Sequence, residues 1–220
     1  MTGYPHGMAR QELTERAPGT ERIQRKRGKR VKEIVETAAE LFGEHGYDAV
    51  SLDDVAERLD VTKGSLYYYF PSKEELATAA IETLGDEWTA RLERLAEQHE
   101  GGHAGLLRTL LHEHITIAVR DYPAALRLFL VPRAWPTAQA DRIKELRGRH
   151  DAVFRRVIEA GVDAGEFTVT GVDTTLQCMH AAMAQSPLWC ARLRGKARGN
   201  AISELTETLM MLVGQPPRTG

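Results

Sequence analysis

After Arg27, apolar residues recur three and four positions apart almost everywhere in this chain, the spacing that places them on one face of an α-helix. Val31, Ile34, Val35, Ala38, Ala39 and Phe42 make the first stripe, and Gly46 supplies its C-terminal stop. Ser51 followed by Asp54 reads as a capping-box start, and Leu52, Val55, Ala56 and Leu59 form the stripe of a short second helix. Asp60-Val61 makes a tight turn, and Thr62 caps a third short helix that runs to about Phe70 and is closed by Pro71. Ser72 with Glu75 is a second capping box, opening a long helix toward Gln98.

Beyond Gly101-Gly102 the same period continues. Leu106, Leu107, Leu110, Leu111, Ile115 and Ala118 predict a fifth helix that stops before Pro123, and a short segment through Leu126, Phe129 and Leu130 runs into Pro132 and Pro136. Ile143, Leu146, Val153, Phe154, Val157 and Ile158 mark a long helix ended by Gly161 and Gly165. Val172, Leu176, Met179 and Met183 begin the penultimate helix, with Pro187 as a kink, and Ile202, Leu205, Leu209 and Leu212 stripe the last. No strand alternation and no internal repeat stands out. The expected architecture is all-α: a polar, Pro- and Gly-broken arm over residues 1–24, a three-helix unit over 25–72 and a larger helical bundle over 73–220.

At 220 residues, the chain is long enough to bury a substantial core. Its formal net charge of -2 says little about partners, but the distribution does: Arg22, Arg25, Lys26, Arg27, Lys29, Arg30 and Lys32 follow one another with no intervening acid, leaving the remainder distinctly acidic. A local positive patch on an acidic body holds phosphate in one place without general stickiness. No apolar run approaches the roughly 20 residues of a membrane span and no apolar signal core is present, so a cytoplasmic protein with no membrane partner is expected.

Two short helices joined by a tight turn and preceded by a longer one have the organisation of a helix-turn-helix, whose second short helix enters the major groove of double-stranded DNA. Thr62, Lys63, Gly64 and Ser65 stand at the N-terminus of the third helix, where free N–H groups favour phosphate and a glycine lets the backbone approach closely. Tyr67, Tyr68 and Tyr69 fan over roughly 200° of helix surface, so with Leu66 and Phe70 facing inward at least two hydroxyls face out. Lys73 opens the fourth helix within reach of a phosphate, and Arg27 and Arg30 bring basic groups alongside.

The stretch AAELFGEHGYDAVSLDDVAERLDVTKGSLYYYFPSKEEL, Ala38 to Leu76, closely resembles the N-terminal signature of the TetR family of bacterial transcriptional regulators. The resemblance implies an all-helical homodimer of about nine helices, three reading DNA and the rest surrounding a ligand cavity, with the last two helices building a four-helix dimer seam. It also implies that Thr62, Lys63, Ser65, Tyr67, Tyr68 and Tyr69 face operator DNA and that Ser51 and Lys73 hold phosphates. Tyr69 departs from the pattern, since many members carry histidine there, and that bears on base preference. The segment from His150-Asp151 to Gly165-Glu166-Phe167 resembles subgroups that sense acyl-CoA thioesters. The expected function is a repressor released from a palindromic operator by a small apolar or amphipathic effector such as an acyl-CoA-like metabolite; the alternative is an all-α effector-binding module or enzyme.

For that effector pocket the candidates are Trp88, His112, Ile115, Phe129, Trp135, Phe154, Met179 and Met183, and for the dimer seam Leu176, Met183, Leu205 and Leu209. His112 and His114 do not share a helix face, and neither they nor Cys178 and Cys190 have metal or redox spacing, so no metal and no cofactor is expected. No nucleophile elbow, P-loop or dinucleotide fingerprint appears, and no enzymatic activity is expected.

Overall fold

A computed structural model describes residues 18–121 and 136–214, all of whose regular elements are helical. Among these residues eight α-helices follow in order: α1 Pro18–His45, α2 Leu52–Arg58, α3 Lys63–Tyr69, α4 Lys73–Gln98, α5 His103–Thr116, α6 Thr137–Asp163, α7 Val172–Trp189 and α8 Gly195–Met210. A π-helical turn, Ile117–Asp121, continues α5, and a 3₁₀ turn, Met211–Val213, continues α8. Phe129, Trp135 and the expected segment around Leu126 to Leu130 lie outside the described residues.

The first helix begins earlier than its apolar stripe. Residues 18–24, expected in the arm, are helical, with Pro18 at the first helical position where its missing N–H costs nothing. Good helix formers such as Arg22, Gln24, Arg25 and Lys26 extend the helix without an apolar face, so periodicity could not register them. The basic run is therefore a helical surface.

Local chemistry sets the helix-turn-helix. Ser51 and Asp54 form the expected reciprocal capping box. Asp60 N–H bonds Glu57 O at 3.0 Å and Val61 N–H bonds Ala56 O at 3.0 Å, a Schellman closure that leaves Asp60 at φ +52, a left-handed conformation that aspartate tolerates. At the start of α4 only half of the expected box forms. Ser72 accepts from Glu75 N–H at 3.2 Å, while the Glu75 carboxylate turns to α6, accepting from Gln139 at 2.8 Å and Arg142 at 3.1 Å.

Two apolar cores result. Ile34, Val35, Ala38, Phe42, Val55, Leu66 and Phe70 pack with Leu76 to Trp88 of α4 in the first, which extends to Ile143 and Leu146 of α6. Leu92 of α4 joins α5, Phe154, Met179, Met183, Ile202 and Leu209 in the second. The 26 residues of α4, about 39 Å at 1.5 Å per residue, thus belong to both cores. Gly161 was expected to end α6, yet it lies inside the helix: a Cβ there would stand 2.2 Å from the Phe167 ring, which needs that space. Gly165, at φ +71, makes the reversal instead. Within α7, Pro187 cannot donate to Met183 O, and the Ser186 hydroxyl replaces the missing donor at 2.6 Å.

Candidate DNA-reading face and ligand cavity

Leu66 anchors α3 in the first core and turns the rest of the short helix outward. Thr62 caps it through Ser65 N–H at 3.2 Å. Lys63, Gly64 and Ser65 are exposed, Tyr67 and Tyr68 are 48% and 72% exposed, and Tyr69 is half-buried against the core with its ring edge-on to Tyr68. Two outward tyrosines are what the fan of the helix demands. Among the described residues, apart from its chain neighbours and the backbone of its own helix, nothing lies within 4 Å of a Cβ placed on Gly64, so packing against them does not require glycine there.

The charges around α3 are partly engaged. Lys63 pairs with Asp53 of α2, and that hydrogen bond holds its ammonium above the usual value. The Asp54 carboxyl sits below its usual value because Ser51 donates to it from both hydroxyl and backbone. Ser51, expected to hold a phosphate, is thus tied into its own cap. Lys73, assigned the same role, lies over the Tyr47 ring at 4.3 Å and donates to Tyr47 O at 2.8 Å, Val50 O at 2.9 Å and Asp48 O at 3.4 Å. Its ammonium fastens the α1–α2 turn to α4 through charge-assisted hydrogen bonds, which are stronger than neutral ones. The Arg27 guanidinium lies 6.0 Å from the Tyr68 ring centroid, so the basic face of α1 adjoins the exposed side of α3. Arg30 pairs with Glu33 of its own helix, and Lys32 with Glu87 of α4 at 3.2 Å.

The bundle contains a cavity of about 420 Å³ lined by Gly85, Trp88 and Thr89 of α4, His114 of α5, Leu146, Arg147, His150 and Asp151 of α6, and His180 and Ala184 of α7. A Cβ on Gly85 would stand 2.6 Å from Leu146 Cδ2, so glycine here lets α4 and α6 close one wall. Among the described residues, Trp88 is the one expected pocket residue that lines it. Ile115, Met179 and Met183 are fully buried core, Phe154 lies beneath the histidines with ring centroids 5.4 to 5.8 Å away, and exposed His112 lines a separate groove between α5 and α8.

Sequence reasoning missed the histidines. His150 Nε2 is 3.1 Å from His114 Nδ1, His150 Nδ1 is 3.3 Å from Thr89 Oγ1, and His180 Nε2 is 3.2 Å from Asp151 Oδ1. Burial, then the neighbouring rings, hold His114 well below its ordinary value and His150 down to about 4; burial lowers His180 against the opposing pull of Asp151. At neutral pH all three rings are uncharged. A usable signal was present: each histidine takes a place in an apolar stripe, His114 after Leu110, His150 after Leu146 and His180 after Leu176, each at i+4. Among the described residues, no cluster of three or more His, Cys, Asp or Glu side chains is arranged to hold a metal ion.

Three of the four expected seam residues, Leu176, Met183 and Leu209, are buried inside the protomer, and Leu205 is half-buried against the same core, which α5 and α6 share with α7 and α8. The same two helices leave Leu188 and Trp189, and beyond α8 Met211 and Leu212, exposed.

A capped recognition helix on a three-helix head, joined through one shared helix to a bundle with a cavity, defines a helix-turn-helix transcriptional regulator. The chain belongs to the TetR family: residues 34–80 match the bacterial regulatory proteins, tetR family, and residues 100–211 match the tetracyclin repressor-like C-terminal domain. It is 32% identical over 145 residues to the HTH-type transcriptional regulator YfiR of Bacillus subtilis, covering 63% of this chain and 68% of YfiR. RutR of Escherichia coli is 36% identical over 101 residues, 44% of this chain and 45% of RutR, so the chain spans about half of that relative's length. The HTH-type transcriptional repressor KstR of Rhodococcus jostii is 28% identical over 198 residues, 86% of this chain and 85% of KstR. In fold it is similar to a tetR-family regulatory protein from Rhodococcus RHA1, with a TM-score of 0.73 at 22% identity over 84% of this chain and 97% of the other. Among the described residues, no helix is long and apolar enough to cross a membrane.

Proposed function

We propose that this chain is a cytoplasmic, homodimeric repressor that occupies a two-fold symmetric operator and leaves it when a small apolar or amphipathic effector enters the cavity. The observation that carries this is the wall shared between sensor and reader: Gly85, Trp88 and Thr89 line the cavity from the same α4 that starts at the end of the recognition helix. The division of labour is a head over residues 25–72 and a sensor and dimer domain over 73–220. Lys63, Ser65, Tyr67 and Tyr68 read the major groove, with Thr62, Gly64 and Tyr69 shaping the helix that presents them. Arg27 and the exposed cations of α1 hold flanking phosphates. Ser51 and Lys73 act by fastening the turn and helix that position α3.

α6 grips α4 through Arg142 on Glu75 and Glu82 and through Arg149 on Asp86 at 2.7 Å. A ligand that separates α4 from α6 therefore tilts the reading head, and in a dimer the tilt changes the half-site separation, one DNA turn or about 34 Å. Typical allosteric couplings of about 1–3 kcal/mol suffice to weaken binding. Dimerisation uses the outer faces of α7 and α8, supported by the exposed Leu188, Trp189, Met211 and Leu212. A cavity of this size would take the acyl part of a thioester or a whole small-ring compound.

Footprinting the DNA flanking the chain's own gene tests the reading. A short protected palindrome is expected, with protection lost on effector addition; protein that protects no discrete site would refute sequence-specific repression.

A further inference from the structure

The Thr89, His150 and His114 side chains form a hydrogen-bonded row that ends in the cavity wall, and the DNA-reading face makes no use of it. A neutral imidazole carries one N–H and one lone pair. Only one proton fits between His150 Nε2 and His114 Nδ1, 3.1 Å apart. If His150 donates it, His150 Nδ1 becomes an acceptor, the Thr89 hydroxyl donates to that nitrogen, and His114 carries its own proton on Nε2. If His114 donates it instead, His150 Nδ1–H donates to Thr89, and His114 Nε2 becomes an acceptor. The end of the row thus changes between donor and acceptor by exchanging tautomers, with no change in charge.

Among the described residues the ionised groups of the wall, Arg147 and Asp151, carry opposite charges, so the wall offers no net charge that would favour an ionic ligand. Beside the row, the described residues of the cavity wall include Arg147 and Asp151 from α6, His180 from α7 and the uncharged Trp88 from α4. Asp151 is already paired with Arg155 at 3.4 Å. Among the described residues, the rest of the wall, Gly85, Trp88, Leu146 and Ala184, is apolar or small and suits a hydrocarbon body.

We infer that the effector combines an apolar body with one uncharged hydrogen-bonding group, a hydroxyl or carbonyl oxygen, which docks on His114 at the end of the Thr89–His150–His114 row. The inference rests on the reading of this cavity as the effector site. Because Thr89 belongs to α4, the row also links the ligand's polar group to the helix that carries the signal.

The test is calorimetric titration of the full chain at pH 7.5, in two buffers of different ionisation enthalpy, with four probes of one shape: naphthalene, 2-naphthol, 2-naphthoate and 2-naphthylmethylammonium. 2-Naphthol is expected to bind about tenfold more tightly than the other three, the worth of one good neutral hydrogen bond, with no proton taken up. His114→Phe should bring 2-naphthol to the level of naphthalene while naphthalene itself still binds, which shows that the cavity persists. His114→Gln, which keeps an uncharged donor and acceptor, should restore part of the preference. Tightest binding of the anion or the cation, or equal binding of 2-naphthol and naphthalene, overturns the inference and leaves the cavity standing as the effector site. Binding of none of the four overturns the reading of the cavity itself.

Discussion

Acidification from pH 7 to pH 5 should destabilise this protein through its buried histidines, and His150 allows the size of the effect to be worked out. Its ordinary value is 6.5 and burial lowers it to about 4 in the folded chain. Between those limits the unfolded chain binds a proton that the folded chain refuses, so stability is complete above pH 6.5 and is lost as pH falls toward 4. The slope approaches about 1.4 kcal/mol per pH unit, and full traversal of the window costs about 3 kcal/mol. His114 and His180 shift in the same direction and steepen the loss. The depressed carboxyls Asp121, Glu74 and Glu166 titrate from ordinary values of 3.8 to 4.5, so they contribute only at the acid end of this range. The assay is urea unfolding followed by far-ultraviolet circular dichroism at half-unit steps from pH 7.5 to 5.0, with protein concentration held constant because any self-association makes stability depend on it. His150→Gln removes one titrating group and should flatten the slope in that window, whatever it does to stability at pH 7.5. Identical slopes for the two proteins, or stability that rises on acidification, would refute the reasoning.

Ser186→Ala should cost about 1–3 kcal/mol, because Met183 O would lose the donor that stands in for Pro187 in a buried turn; thermal unfolding that matches wild type would show the carbonyl is otherwise satisfied. Lys73→Met removes three hydrogen bonds to the α1–α2 turn and should lower stability by about 1–3 kcal/mol. Binding to random DNA measured across a salt series should keep its slope in that variant, and a slope reduced by about 0.9 would return Lys73 to a phosphate-holding role. Arg25, Lys26 and Arg27 changed together to Ala should reduce the same slope by up to about 0.9 for each phosphate no longer neutralised; an unchanged slope would remove α1 from the DNA interface. Lys63→Ala should instead relax sequence preference by about tenfold in competition between operator and random DNA, and equal weakening on both would make it a phosphate ligand. Leu188→Glu with Trp189→Glu should shift sedimentation toward monomer, and a variant that remains dimeric would exclude that end of α7 from the seam.

Sequence alone determined the helices whose stripes and caps are local. Ser51, Thr62 and Ser72 act within three residues of themselves, and the turn at Asp60-Val61 closes on backbone within the same short helix, so α2, α3 and their junction could be read directly. The exposed tyrosines followed from helical geometry and the inward places of Leu66 and Phe70. Tertiary structure decided everything that depends on a partner distant in sequence. An apolar stripe says that a face is buried but not against what, which is why Leu176, Met183 and Leu209 read as a dimer seam although they lie buried in the core of their own chain. A lysine at a helix start looks the same whether it meets phosphate or carbonyl, and only the fold brings Tyr47 O and Val50 O to Lys73. The cavity shows this most clearly: His114, His150 and His180 are separated by 36 and 30 residues, and each by itself is an ordinary polar interruption in a stripe. Three helices packing together bring them to one wall, and it is that shared burial, which no single stretch of sequence encodes, that keeps them neutral and able to bind an uncharged ligand group.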